Sequence, residues 1–187
     1  MQGAQSDTIL LCSHPPVITT GTSTKPEHLT TPAEILTAQG VPLVPIGRGG
    51  SVTYHGPEQL VAYPIIDLKN HKTDVGWYMR SLEEVIILTL RDFQIAGFRI
   101  PEKTGVWVRD DAKIAFIGVK ISRWCTYHGV SINVRPCAER FSLINPCGLG
   151  SIQVTSLHEE CDSKPTVEEV AARFKDNFAT VFGYNSV

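Results

Sequence analysis

The sequence lacks the features that would place it among membrane, secreted or nucleic-acid-binding proteins. No apolar run approaches the roughly 20 residues that cross a bilayer. The opening segment MQGAQSDTILLC has neither the basic stretch nor the long apolar core of a secretory signal. The net charge of −2 provides no basic excess for nucleic acid. With 42% hydrophobic and 19% charged residues, the 187-residue chain is expected to be one soluble domain of intracellular type.

Cysteine is present, but without a pattern that fixes its chemistry. The five cysteines form no C-x-x-C pair and their number is odd, so neither a zinc clamp nor a closed disulfide framework is indicated. Free thiols are typical of a reducing compartment. Cys147 lies between a proline and a glycine, in a turn where backbone N–H groups favour a thiolate and can hold an oxyanion. Cys137 also follows a proline, and each of these cysteines can equally be an inert packing residue.

Positive charge is concentrated in one part of this mildly acidic chain. Residues 99–140 contain eight Lys or Arg and four Asp or Glu, a net charge of +4. A local positive field of this kind attracts an acidic partner. Solvated strand faces explain the same charges equally well.

Short strands outnumber helices in the predicted order of elements. Period-two patterns and turn residues predict strands, with an irregularity expected at Ile117-Gly118. They lie at Thr8–Cys12, Val17–Thr20, Leu43–Ile46, Val52–Tyr54, Leu60–Ile66, Gly105–Val108, Lys113–Arg123 and Val130–Val134. Since the strands are not strictly interleaved with helices, the fold class is predicted as α/β with a mixed (α+β) sheet rather than a doubly wound one.

Three helices are predicted from apolar spacing and capping residues. The longest begins at Asp74 and is closed by Gly97. The last begins at Thr166, with Glu169 as its capping-box partner, and runs towards Gly183. A short helix is predicted after a capping box at residues 31–34, with Gly40 as its stop.

The glycine-rich segment 46–57 is the most unusual stretch. Its glycines allow the backbone to approach a ligand closely, and Arg48, Tyr54 and His55 add polar groups that can hold a ligand's head. The segment has neither the lysine and Ser/Thr of a P-loop nor G-x-G-x-x-G spacing. A structural glycine hairpin with a hydrogen-bonded histidine explains it equally well.

Lys113 opens a predicted strand and is the second candidate for chemistry. A lysine at the mouth of a sheet, close to a thiol, lowers the pKa of that thiol from about 8.5 and can transfer protons. An exposed lysine at a strand end is the alternative interpretation.

Taken together, these segments resemble the lipoyl(octanoyl) transferases, which move an octanoyl group from acyl carrier protein to a lysine of a lipoyl domain. The matching runs occur in the family's order between residues 11 and 157. They include His14-Pro15-Pro16, Gly47–Gly50, Thr53–Pro57, Gly105–Val108, Lys113–Ala115, Ile117–Val119, Ser122–Trp124, His128-Gly129, Pro146–Gly148 and Val154–Leu157.

The resemblance implies a fold like that of the biotin and lipoate protein ligases. It implies a single catalytic domain over residues 1–187, in which the family's amino-terminal strand and helix are missing. Cys147 matches the cysteine that carries the acyl thioester, and Lys113 matches the lysine that activates it. The residues that match the wall of the acyl tunnel are Arg48, Gly49, Gly50, Ser51, Val52, Thr53, Tyr54, His55, Phe116, Ile117, Gly118, Gly129, Val130 and Ser131.

The resemblance also implies cofactors and partners. No ATP or metal is expected, because the acyl group arrives as a thioester on the phosphopantetheine of acyl carrier protein. The expected acceptors are lipoyl domains of 2-oxoacid dehydrogenase E2 subunits and the glycine cleavage H protein. A monomer that binds neither nucleic acid nor membrane is expected, in the cytoplasm or, in a eukaryote, the mitochondrion.

Three positions depart from the family's usual residues. Family members usually have Gly where Glu58 stands, a small residue at Phe116 and Ala at Ser131, and Phe116 is expected to shorten or reshape the acyl tunnel.

Three other functions are alternatives to octanoyl transfer from acyl carrier protein. They are an ATP-dependent lipoate or biotin ligase, an octanoyl amidotransferase acting between lipoyl domains, and a non-catalytic acyl-binding protein. An ATP requirement separates the ligase, and a covalent Cys147 adduct separates the binding protein.

Overall fold

The computed structural model describes residues 6–109, 112–145 and 152–184. Within these ranges the strands are β1 Thr8–Cys12, β2 Val17–Thr20, β3 Leu43–Pro45, β4 Val52–His55, β5 Gln59–Ile65, β6 Phe98–Ile100, β7 Lys103–Trp107, β8 Ala112–Ser122, β9 Cys125–Asn133 and β10 Gln153–Val154. The helices are α1 Ala33–Ala38, α2 Val75–Asp92, α3 Ala138–Phe141, α4 Leu157–Glu160 and α5 Val167–Phe182, with short 3-10 helices at Pro26–His28 and Leu68–Asn70.

The strands form two sheets of unequal size. The large sheet has the order β1-β5-β9-β8-β7-β6 with antiparallel neighbours, and β10 pairs with β8 in parallel. In the small sheet, β2 lies between β3, which is parallel to it, and β4, which is antiparallel. The predicted mixed sheet is therefore confirmed.

Helices α2 and α5 cover one face of the large sheet and form the main core with it. Asp74 caps α2 by accepting a hydrogen bond from the backbone N–H of Trp77 at 2.9 Å. Thr166 and Glu169 form the predicted capping box of α5, which ends at Gly183 in the left-handed conformation. The apolar faces of both helices are buried against the sheet. The opposite face of the sheet is left for other contacts.

The small sheet packs on that opposite face. A second core joins Ile18 and Val52 of the small sheet to Phe116 of β8 and Phe141 of α3. The loop between β3 and β4 is fixed to the large sheet, because the N–H of Gly49 donates to the carbonyl of Val119 in β8 at 2.8 Å. The glycine-rich segment is thereby held directly over the large sheet.

Two local predictions are wrong. Helix α1 begins after Pro32 with no side-chain cap, so the capping box at residues 31–34 does not form. The pairing of β8 with β9 continues without a shift through Ile117-Gly118. The irregularity of β8 lies instead opposite β7, where Val106 pairs with Ala115 but Trp107 pairs with Lys113. One extra residue is therefore inserted in β8 at that point.

Candidate active site

A cavity of about 820 Å³ lies between the small sheet and the large one. Its volume is in the range of small-molecule sites. Lys113 and thirteen of the fourteen residues predicted to bind substrate line it together. These thirteen are Arg48, Gly49, Gly50, Ser51, Val52, Thr53, His55, Phe116, Ile117, Gly118, Gly129, Val130 and Ser131.

Tyr54 is the predicted substrate-binding residue that does not line the cavity. Its side chain is fully buried in the second core, edge-on to Phe141 with ring centroids 5.8 Å apart. Its hydroxyl donates to Glu58 Oε2 at 3.3 Å, and burial together with the Glu58 charge raises the pKa of Tyr54. A Cβ on Gly56 would overlap this hydroxyl, so the glycine makes room for the contact. The structure places Tyr54 in packing, and its role in acyl binding stays a prediction.

Lys113 reaches the cavity because of the extra residue in β8. In a regular strand, residues 113 and 116 would point to opposite faces of the sheet. The insertion between Lys113 and Ala115 turns both side chains to the cavity, as bulges beside active sites often do. Lys113 is 2% exposed, and its Nζ lies 4.8 Å from the ring centroid of Phe116 and 5.2 Å from that of Trp107.

Gly105 provides the space for the Lys113 side chain. Its φ of +113° is one that side chains rarely adopt. A Cβ at this position would lie 2.7 Å from Lys113 Cε. The glycine of the Gly105–Val108 motif is therefore required by the close approach of the lysine.

Arg48 holds the glycine-rich loop in place at the cavity wall. Its guanidinium donates to the carbonyl of Thr19 at 2.8 Å, to Thr19 Oγ1 at 3.0 Å and to the carbonyl of Gly49 at 3.1 Å. A Cβ on Gly118 would lie 2.9 Å from Arg48 Cδ, so the large sheet needs glycine beneath the arginine. Arg48 thus links both sheets and places a positive charge beside the cavity.

Four histidines line the cavity, and sequence reasoning singled out only His55 among them as a ligand-binding residue. Burial, together with the charges of Arg48 and His14, lowers the pKa of His55 to about 4, although the hydrogen bond to Gln59 acts in the opposite direction. Burial and the charges of Arg48 and Lys120 also lower the pKa of His128. At neutral pH these two imidazoles are uncharged.

His28 is a cavity residue that sequence reasoning missed. Its Nδ1 accepts the backbone N–H of Lys25 at 3.1 Å and lies 2.5 Å from Ser51 Oγ. Its carbonyl accepts the N–H of Asn145 at 2.9 Å. An isolated histidine with no motif around it offers no signal in the sequence, because its partners lie far along the chain.

The predicted nucleophile, Cys147, lies outside the described residues. The described residues on either side are attached to the cavity wall: Asn145 bonds to His28, and β10 pairs with Ala112 and Lys113. Of the other cysteines, Cys137 is 5% exposed in the second core. Burial, together with the charges of Glu58 and Glu159, raises the pKa of Cys137 to about 12. Cys137 is therefore a packing residue and not a thiolate nucleophile.

Several cations of the basic segment 99–140 are engaged within the fold. Arg99 pairs with Glu83 and Glu84 at 3.1 and 2.6 Å, and Arg109 pairs with Glu160 at 3.1 Å. Lys113 points into the cavity. The net charge of this segment therefore overstates the positive surface that a partner meets.

In the described part of the chain, no group of three or more His, Cys, Asp or Glu is arranged to hold a metal ion. In the same ranges, no helix is long and apolar enough to span a membrane.

A cavity with a buried lysine and neutral imidazoles in its wall is typical of an enzyme active site rather than of a docking module. The sequence matches the lipoyl protein ligase A/B catalytic domain over residues 1–179, and the chain belongs to that family. The resemblance read from the motifs is confirmed.

Similar proteins within this family indicate the enzyme class of the chain. It is 48% identical over 188 residues to an octanoyltransferase of Chloroflexus aggregans, which covers 99% of this chain and 85% of the relative. An octanoyltransferase of Solibacter usitatus is 47% identical, covering 98% of this chain and 82% of the relative. The predicted enzyme class, an acyltransferase, is confirmed by these relatives.

A solved structure confirms the fold. The structure of a bi-partite lipoate protein ligase from Thermoplasma acidophilum matches with a TM-score of 0.78. The match covers 98% of this chain and 74% of that chain at 14% identity. This likeness confirms the predicted fold like that of lipoate protein ligases.

Proposed function

We propose that the protein transfers an octanoyl group from acyl carrier protein to a lysine of a lipoyl domain, through a thioester on Cys147. The observation that carries this proposal is the burial of Lys113 at the wall of a cavity that the residues of the tunnel motifs also line. A lysine in a cavity wall can hold or transfer a proton at the reacting group, and buried lysines shift their pKa readily. Octanoyltransferase relatives at 47–48% identity support the octanoyl group as the cargo.

The cavity suits an acyl chain. Phe116, Ile117 and Val130 supply apolar wall next to Gly118 and Gly129. Burying the seven apolar carbons of an octanoyl chain stabilises the complex by about 5–6 kcal/mol, at about 0.8 kcal/mol for each CH₂. That free energy is enough to hold the chain while the reacting carbonyl stays near Lys113.

The proposed reaction consists of two acyl transfers that need no ATP. In the first, the Cys147 sulfur bonds to the acyl carbon, the bond to the carrier's sulfur breaks, and the thiol proton passes by way of Lys113 to the leaving sulfur. In the second, the acceptor amine bonds to the same carbon, the bond to Cys147 breaks, and a proton from the nitrogen returns to that sulfur. An amide is more stable than a thioester, so the second transfer runs downhill.

The proposed donor and acceptor are tested by an assay without nucleotide. Octanoyl-acyl carrier protein and an apo lipoyl domain are incubated with the protein, and the mass of the lipoyl domain is followed. We expect one octanoyl increment on the domain in the absence of ATP. Modification that occurs only with free octanoate and ATP would contradict the proposal and identify a ligase. Transfer that requires an octanoylated lipoyl domain as donor would identify an amidotransferase.

Phe116 is expected to restrict chain length. Its ring stacks on Phe141 with centroids 4.9 Å apart and forms part of the cavity wall next to Lys113. Phe116→Ala should raise the ratio of kcat/KM for decanoyl over octanoyl donors by roughly tenfold, since a methylene in an apolar pocket is worth about 1–3 kcal/mol. The matched control is Phe93→Ala, which removes a ring packed against the main core, away from the cavity lining, and should leave the ratio unchanged. An unchanged ratio in Phe116→Ala would show that the ring does not limit the chain.

A further inference from the structure

A chain of side-chain hydrogen bonds runs beneath the cavity from His55 to the backbone of β10. His55 Nδ1 lies 3.1 Å from Gln59 Oε1. Gln59 Nε2 lies 2.8 Å from Asn133 Oδ1, and Asn133 Nδ2 lies 2.9 Å from the carbonyl of Thr155. The N–H of Thr155 in turn donates to the carbonyl of Lys113 at 3.1 Å. The chain therefore links a cavity imidazole to the strand that carries the buried lysine.

The direction of every bond in this chain follows from its last member. A backbone carbonyl only accepts, so the atom of Asn133 that faces Thr155 must be the amide nitrogen. The oxygen of Asn133 then faces Gln59, and the facing atom of Gln59 must be its nitrogen. The oxygen of Gln59 is left for His55, and Nδ1 of His55 must carry the proton.

No other orientation of the two amides gives every polar group in this chain a hydrogen-bond partner. Gln59 and Asn133 are fully buried and Thr155 is 3% exposed, so water does not replace a reversed bond. Turning either amide would place two acceptors or two donors face to face, and this would leave buried polar groups without a hydrogen-bond partner, which is unfavourable. The tautomer of His55 is thus set by a carbonyl three residues away along the hydrogen-bond chain.

We infer that His55 presents an unprotonated Nε2 to the cavity as a hydrogen-bond acceptor, and that Gln59 and Asn133 are the positioning residues that keep it so. Such a nitrogen cannot donate to an oxyanion. It accepts a hydrogen bond from a bound donor instead, and an N–H group is one such donor. Under the proposed function, on which this step rests, that group is the amine of the acceptor lysine. His55 orients this amine. The nitrogen of the amine then bonds to the acyl carbon, and the bond from that carbon to the Cys147 sulfur breaks.

The neighbours of His55 keep it in the acceptor state. The charged and titratable groups that act on it are Arg48 in the loop before β4 and His14 in the turn before β2, whose ring centroid is 5.9 Å away. Both oppose a positive charge on the imidazole. Gln59, on β5, is the neutral partner below it.

The tautomer can be measured in the wild-type protein without any substrate. Long-range ¹H–¹⁵N correlation spectra of ¹⁵N-histidine-labelled protein report which ring nitrogen carries the proton. We expect His55 with Nδ1 protonated and Nε2 bare throughout the neutral pH range. His158 is the internal control with the opposite tautomer, because its Nε2 faces the carbonyl of Pro165 at 2.9 Å. A protonated Nε2 on His55 would overturn the inference.

Two substitutions of Gln59 test the positioning role. Gln59→Leu removes the partner of Nδ1, whereas Gln59→Glu keeps an oxygen facing it. We expect Gln59→Leu to slow amide formation from a preformed acyl-enzyme by about 10²-fold, the usual cost of a misplaced reacting group. Gln59→Glu should recover only part of this loss, because it has no N–H group to donate to Asn133 Oδ1. A folded Gln59→Leu variant that forms the amide at the wild-type rate would overturn the positioning role.

The two half-reactions separate this inference from the proposed function. Acyl-enzyme formation, read as intact mass, should change little in Gln59→Leu, because the amine takes part only in the second step. Equal losses in both steps would contradict a role directed at the amine. If the wild-type protein forms no acyl-enzyme, the proposed function fails, while the tautomer of His55 is still decided by the spectra.

Discussion

Incubation with octanoyl-acyl carrier protein is expected to add one octanoyl group to the wild-type protein and none to Cys147→Ala. A thioester needs a sulfur that leaves readily in the second step, and alanine offers no nucleophile. The measurement is the intact mass of the protein after a short incubation without ATP and without a lipoyl domain. The same variant should show no transfer to a lipoyl domain added later.

Two other cysteines provide matched controls for this result. Cys161 lies at the end of α4, with its sulfur 3.3 Å from Ser163 Oγ, and Cys161→Ala should acylate as the wild type does. Cys137→Ala removes a buried thiol from the second core and should lower the free energy of unfolding while leaving the adduct intact. A full adduct on Cys147→Ala would exclude Cys147 as the acyl carrier, and loss of that adduct in Cys137→Ala would move the role to Cys137.

The sequence predicted most of the strands, and it failed where a turn lacked its usual residues. β9 begins at Cys125, five residues before the predicted start at Val130. The hairpin between β8 and β9 turns at Arg123 and Trp124, which have φ values of +51° and +69°. Turns with two positive φ values normally use Asn-Gly or Asp-Gly. Because an arginine and a tryptophan occupy these positions, the local sequence does not indicate a turn. The pairing of β8 with β9 imposes it.

Short elements were missed for a related reason. β6, β10, α3 and α4 contain two to four residues each. Periodicity cannot be read from so few positions. β10 is held by its pairing with Ala112 and Lys113, which is a long-range contact.

The site was predictable as a set of residues, and its geometry was not. Lys113 and thirteen of the fourteen residues predicted to form the tunnel line one cavity, whereas Tyr54 packs in the second core. The direction of Lys113 depends on one extra residue in β8, and a bulge is fixed by the pairing with β7 rather than by local sequence. Gln59 and Asn133 both lie in runs that match the family, but they are 74 positions apart, so the hydrogen bond between them could not be predicted before the sheet forms.

Replacement of Lys113 should produce the other large loss of activity. Lys113→Met keeps the length and apolar packing of the side chain against Trp107 and Phe116 but cannot carry a proton. We expect the rate of acyl-enzyme formation to fall by a factor on the order of 10²–10⁴, the usual contribution of a positioned acid or base. Stopped reactions analysed by intact mass give this rate, and thermal unfolding shows that the variant stays folded.

Two further variants distinguish the positive charge of Lys113 from its ability to carry a proton. Lys113→Arg retains the charge but cannot release a proton near neutral pH, so it should be about as slow as Lys113→Met. Lys113→Ala leaves space beside Trp107 and Phe116 that a small added amine can enter, and such an amine should restore part of the rate in proportion to its concentration. Wild-type activity in Lys113→Arg would show that the lysine acts through its charge alone. Because rescue by a free amine requires a site that the side chain has vacated, it would locate the proton transfer at the position of Lys113 Nζ.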